Sequence, residues 1–161
     1  MQQKTKAIFD CEVMEKEFKM VGQSITANFP DAFPKVAMDI HDEFEKRTNE
    51  IKNAVDPNVI YAPYMCNEIV ATYFGCLEVH DLESIPEGML GLHIPATKYA
   101  KITCTNRTIE EGYTKLFEWM RNNGFKQKWF DRSFPMEIFY AEEGGDEEQV
   151  ELLVPILDQA K

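Results

Sequence analysis

One carboxylate in this 161-residue chain sits in a setting where it would be either costly or useful. It lies in the run Phe134-Pro135-Met136-Glu137-Ile138-Phe139-Tyr140. Along a strand, successive side chains alternate between the two faces of the sheet. Met136 and Ile138, with Phe134 and Tyr140, then share one face, and Pro135, Glu137 and Phe139 share the other. The aliphatic face is the one expected against a helix-covered core, so Glu137 is expected to project from the opposite face, beside Phe139. A carboxylate among apolar side chains is unfavourable unless it is paired, protonated or matched by a ligand. Two settings are open to it: the wall of a ligand cleft, or the polar outer face of a half-exposed antiparallel strand. Were the protein an enzyme, Glu137 with a raised pKa would be its general base. No other catalytic residue is assigned.

Aromatic side chains supply candidate walls for such a cleft. Tyr73 and Phe74 are adjacent in the run Ile69–Val79, which is apolar on both faces and so expects cover on both. Tyr61, Tyr99 and Phe139 lie in other strand-like runs, and Trp119 sits at the margin of a helical apolar stripe. Most aromatics in such a chain belong to the core, because they bury large areas. The ligand-binding set taken from the sequence is Glu137, Phe139, Tyr99, Trp119, Tyr61 and Tyr73.

Other chemistries lack their patterns. Cys11, Cys66, Cys76 and Cys104 form no CxxC pair, and His41, His80 and His93 are scattered, so no metal site and no cofactor is expected. The cysteines read as reduced small hydrophobes of a cytoplasmic protein. The acidic runs Asp42-Glu43, Glu142-Glu143 and Asp146-Glu147-Glu148 lack EF-hand spacing. No phosphate-binding glycine loop and no GxSxG elbow is present. The formal net charge of −11 opposes binding to nucleic acid or anionic membranes. The start of the chain, Met1–Lys6, is polar, and no run is long and apolar enough to span a bilayer.

Stepping along the chain gives the elements that must position Glu137. A helix is expected after Phe33-Pro34, with Val36, Ile40, Phe44 and Ile51 on one stripe and Asn53 and Asp56-Pro57 ending it. A second is expected from Thr108-Ile109-Glu110-Glu111, a capping box, to Gly124, a left-handed stop. Ile109, Tyr113, Leu116 and Met120 form its apolar face. Strands are expected at Phe18–Ala27, Val59–Cys66, Ile69–Val79, Leu90–Ile94 continuing through Tyr99–Thr105, Phe134–Ala141 and Val150–Ile156. Turns fall at Cys66-Asn67-Glu68 and Glu142–Asp146.

The order strand, helix, strand, strand occurs twice, at about 11–79 and about 88–157, joined by the polar segment His80–Glu87. The expected fold is α+β: duplicated βαββ repeats forming one antiparallel sheet with two helices on one face, as a single domain over 1–161. A domain of this size buries about 70% of its unfolded surface and needs no metal or disulfide. The face away from the helices stays open unless another unit or a ligand covers it. A central ligand cleft is therefore expected on that shared open face.

Four segments together carry a family resemblance. Gly91-Leu92-His93-Ile94-Pro95-Ala96-Thr97-Lys98-Tyr99-Ala100, then Tyr113, Leu116 and Trp119 before Asn123-Gly124, then Pro135–Phe139, then Leu153-Val154-Pro155-Ile156, resemble the second half of GyrI-like small-molecule-binding domains. Such domains also serve as effector-binding domains of AraC- and MerR-type transcription regulators. The resemblance implies a duplicated βαββ fold with an aromatic-lined cleft, in which Glu137 matches the glutamate that engages cationic or polar ligands. Tyr99 and Trp119 match motif positions. Phe139 stands where a tyrosine is common, and no DNA-binding region is present.

The expected function is a stand-alone effector- or multidrug-binding protein for lipophilic or cationic small molecules, possessing the role of a transcription or stress-response sensor module in a bacterial cytoplasm. The alternatives are a hydrolase of small electrophilic compounds using Glu137 as general base, and an inhibitor of a protein such as DNA gyrase. The expected partners are a small molecule and either a second protein or a second copy of the chain.

Overall fold

The computed structural model describes residues 8–129, 132–141 and 147–157. Its elements run β1 (Cys11–Asn28), α1 (Lys35–Glu45), β2 (Val59–Cys66), β3 (Val70–Glu78), β4 (Leu90–Thr105), α2 (Ile109–Asn122), β5 (Met136–Tyr140) and β6 (Gln149–Pro155). This is the α+β order of two βαββ units. The expected Glu142–Asp146 turn lies outside the described residues.

All strand pairs are antiparallel, and the sheet closes in the order β1-β3-β2-β5-β6-β4. Within each unit the first strand pairs with the third and the third with the second. The units join at β1–β4 and at β2–β5. Closure pairs every strand on both sides and leaves no edge to aggregate. It also requires the long strands to bend. Lys16 pairs with Thr97 and Phe18 with Ile94, so Glu17 alone faces both Pro95 and Ala96. This bulge gives Pro95, which cannot donate to a ladder, a place within one continuous strand.

Closure changes the expected location of the cleft. The faces turned away from the helices meet inside the barrel and are filled by Phe18, Met20, Phe74, Ile94, Met136, Ile138 and Leu153, among others. Phe18, Met136 and Leu153 are no more than 1% exposed. The space expected to be open is therefore core. Both helices pack on the outside. Phe44 of α1 lies on Val21, Ile60 and Leu77, and Leu116 and Met120 of α2 lie on Ile102, Cys104, Val150 and Leu152.

The helix boundaries differ in detail from expectation. α1 ends at Glu45, and Ile51 reaches the core from a separate 3₁₀ turn, Thr48–Glu50. The capping box does not form: Thr108 makes no side-chain cap. Its hydroxyl instead accepts the Thr105 N–H at 3.0 Å, leaving Glu110 and Glu111 to favour the positive helix start. Gly124 does end α2, with φ +75°. Phe125 N–H then bonds the Met120 carbonyl at 2.9 Å, and its ring stacks on Trp119 at 5.4 Å.

The duplication also leaves a residue-level trace at one end of the barrel. Tyr61 pairs with Cys76, two residues before Glu78, and donates to Glu78 at 3.0 Å. Tyr140 pairs with Gln149, two residues before Glu151, and donates to Glu151 at 2.6 Å. Lys16 of β1 and Lys101 of β4 complete the sets, each 3.2 Å from its glutamate. Each unit thus holds an inward-facing carboxylate with one phenol and one ammonium from the matching strands, Lys101 also reaching Glu12 at 2.9 Å. Burial first, and the carboxylates next, push both phenols far above their ordinary range, so they act as donors.

Candidate functional site

Alternation along β5 places Met136 and Ile138 inside the barrel and turns Glu137 and Phe139 outward. Outward is the helix side, so Glu137 faces α1 and α2 rather than away from them. The alternation was legible; the identity of the two faces was not.

Glu137 lies where the two units meet, and it collects residues from both. Tyr73 of β3 donates to its Oε1 at 2.9 Å. Tyr113 of α2 donates to its Oε2 at 2.8 Å. The Tyr64 and Tyr113 hydroxyls are 2.7 Å apart, and Tyr64 pairs with Tyr73 across β2–β3, their rings stacked at 6.4 Å. His41 of α1 places Nε2 3.3 Å from the Tyr73 hydroxyl and sets its ring edge-on to Phe139 at 4.8 Å. Phe33 packs edge-on to Tyr73 at 6.2 Å, and the half-exposed Phe117 stacks on Tyr113 at 6.2 Å.

Glu137 keeps some exposed surface, yet its carboxyl is crowded enough that desolvation raises its pKa. The hydrogen bonds from Tyr113 and Tyr73 oppose that rise without cancelling it. Tyr73 and Tyr113 are held neutral, first by burial and then by the facing carboxylate. The arrangement is a carboxyl group held by two phenols among aromatic rings, at a residue that keeps some exposed surface. A carboxylate beside aromatic ring faces has the chemistry to receive an organic cation.

Of the residues taken from the sequence, the structure brings Glu137, Phe139 and Tyr73 together. Tyr61 and Tyr99 point into the barrel, with Tyr99 0% exposed beside Phe18. Trp119 packs against the α2 core and Phe125. Neither tyrosine nor Trp119 is a partner of Glu137. Tyr64, Tyr113 and His41 join it instead. Tyr113 had a signal, lying on the apolar stripe of α2, but a stripe tyrosine reads as core. No cluster of three or more metal-binding side chains occurs among the described residues.

Gly112 sets the height of Tyr113 above the sheet. A Cβ there would lie 3.0 Å from Leu152 Cδ1 and 3.1 Å from Cys104 Sγ, and both residues are fully buried. Gly112→Ala is expected to gain about 1 kcal/mol of helix propensity and lose about 1–3 kcal/mol to overpacking. Chemical denaturation should show a net loss of about 1 kcal/mol. A gain in stability would show that α2 does not rest on this contact.

Residues 13–156 match the family model described as Cass2, integron-associated effector binding protein. The chain belongs to this family. The GyrI-like resemblance read from its second half thus extends over both units. Solved structures of the same fold include SAV2435 bound to tetraphenylphosphonium, with TM-score 0.70, 8% identity, and coverage of 92% of this chain and 94% of that one. The integron cassette protein VCH_CASS2 from the mobile metagenome of Vibrio cholerae has TM-score 0.65, 12% identity, and coverage of 93% and 98%. The EcmrR C-terminal domain has TM-score 0.64, 13% identity, and coverage of 95% and 100%. No curated protein matches the chain by sequence. Among the described residues, no helix is long and apolar enough to cross a membrane.

Proposed function

We propose that this member of the effector-binding family binds lipophilic organic cations against Glu137, between α1 and α2, as a sensing or sequestering module. One observation carries the reading. Glu137 is a crowded carboxylate whose hydrogen-bond partners among the described residues are two phenols rather than a lysine or arginine. The phenols satisfy its oxygens but leave its negative charge uncompensated, which a cationic ligand would correct. The solved SAV2435 structure, similar in fold, holds tetraphenylphosphonium, a cation of this kind.

The geometry favours binding over hydrolysis. A general base for water needs an available, basic lone pair. Here both oxygens already accept from tyrosines, which occupies one lone pair on each and partly offsets the rise in basicity that burial causes.

The test is a thermal-shift comparison of tetraphenylphosphonium with uncharged triphenylphosphine oxide. A cation present at a hundred times its Kd stabilises by about 2.7 kcal/mol, which for a chain of this size raises Tm by roughly 5–10 °C. Tetraphenylphosphonium should produce that rise and the neutral compound much less. No rise with any lipophilic cation would remove this reading and favour a protein partner. Consumption of a bound compound would favour the hydrolase.

A further inference from the structure

We propose that His41 orients the hydrogen-bond chain ending on Glu137, and so sets the preference of the site for cations over neutral ligands of the same shape. The selectivity claim rests on the cation-binding reading above; its first readout needs no ligand.

The argument is a count of protons. An ionised carboxylate only accepts hydrogen bonds, and each phenol has one proton to give. Tyr73 gives its proton to Glu137 Oε1 at 2.9 Å. Its oxygen is then left as an acceptor, so the His41 Nε2 at 3.3 Å must carry hydrogen. The same count on the other branch makes Tyr64 the donor to Tyr113, which donates to Oε2. Two donor chains therefore converge on one carboxylate, His41–Tyr73–Oε1 and Tyr64–Tyr113–Oε2.

The His41 end is the one that can reverse. Imidazole has two tautomers, and the bond made by one nitrogen decides which is present. With Nε2 bare, two acceptors would compete for the single Tyr73 proton, and its bond to Oε1 would weaken. Glu137 would then be driven toward its neutral form, which does not attract a cation. The ring is not free to swing away, since it lies against Phe139 at 4.8 Å and Tyr73 at 5.8 Å. Burial lowers the His41 pKa and keeps the ring neutral, opposed by Asp42 on its own helix. From β3 it faces Tyr73, and from β5 it faces Phe139 and, through Tyr73, Glu137.

His41 is thus a positioning residue, and the test separates that role from packing. In the ligand-free protein at pH 8, ¹⁵N spectra should show His41 protonated on Nε2 and bare on Nδ1. An Nδ1–H spectrum overturns the proposal. His41→Gln keeps an amide donor, whereas His41→Leu keeps bulk without one. In His41→Leu, the Glu137 carboxyl should titrate at higher pH by ¹³C NMR, and tetraphenylphosphonium should bind roughly fivefold more weakly. His41→Gln should restore both, and triphenylphosphine oxide should bind all three proteins alike. Equal weakening of both ligands in His41→Leu would reduce His41 to packing and overturn the proposal. No tetraphenylphosphonium binding by the wild type would overturn the cation reading and the selectivity claim with it. A protein that binds the cation yet shows Nδ1–H would overturn the role of His41 alone.

Discussion

Glu137→Gln should make the empty protein more stable at pH 8 while removing its affinity for lipophilic cations. The two effects share one cause. Burial raises the Glu137 pKa above its ordinary value of 4.5, because the folded protein holds the charged form less well than water does. Below the ordinary value both folded and unfolded chains are protonated there, and the group does not affect stability. Between the ordinary and the raised value, the folded chain holds a proton that the unfolded chain has released. Stability therefore falls as pH rises through this window, and the full cost persists above it. Glutamine has no such cost. The Tm difference between variant and wild type should open as pH rises past the ordinary carboxylate range, then level off at a constant gain in the variant. His41 also titrates at this site, but it does so in both proteins and largely cancels from the difference. Tetraphenylphosphonium affinity should drop about a hundredfold or more, since a buried charge loses its counterpart. A variant less stable than wild type at pH 8 would mean that Glu137 serves mainly as the acceptor organising Tyr73 and Tyr113.

What the sequence disclosed follows from how local each signal is. The repeated strand–helix–strand–strand order was legible because hydrophobic period and turn residues are local. The pairing of Glu137 with Phe139 on one face was legible for the same reason. Which face that was depended on closure. A sheet that closes on itself has an apolar inner face, and its helix-covered outer face is apolar too. Alternation separates the faces without labelling them. Tyr61 and Tyr64, three residues apart on β2, therefore go to opposite sides: Tyr61 into the barrel, Tyr64 to the carboxylate. The convergence of Tyr64, Tyr73, Tyr113 and His41 joins four elements, and it needs the β2–β3 register and both helix placements at once. The Tyr–Glu pairs of the two units escaped notice for another reason. Tyr61 and Glu78 lie farther apart in the chain than Tyr140 and Glu151, so only register reveals their equivalence.

If the barrel interior is core and the helix side is the site, the two should separate by mutation. Phe18 is 1% exposed and meets Tyr61 and Tyr99 edge-on at 5.8 and 5.9 Å. It also follows the bulge that bends β1 against β4. A cavity at this position has closely packed walls drawn from several strands, and a closed barrel cannot shrink without shifting its ladders. Phe18→Ala should therefore cost about 3–5 kcal/mol and lower Tm by roughly 10 °C. At a temperature where the variant remains folded, its ratio of tetraphenylphosphonium to triphenylphosphine oxide affinity should match the wild type, because Glu137 and its tyrosines lie on the other side of the sheet. Tyr99→Phe, which deletes one hydroxyl inside the barrel, should likewise leave that ratio unchanged. Tyr73→Phe deletes a donor to Glu137 and should change it. Loss of cation selectivity in Phe18→Ala or Tyr99→Phe, with Tyr73→Phe unaffected, would move the ligand from the helix side into the barrel.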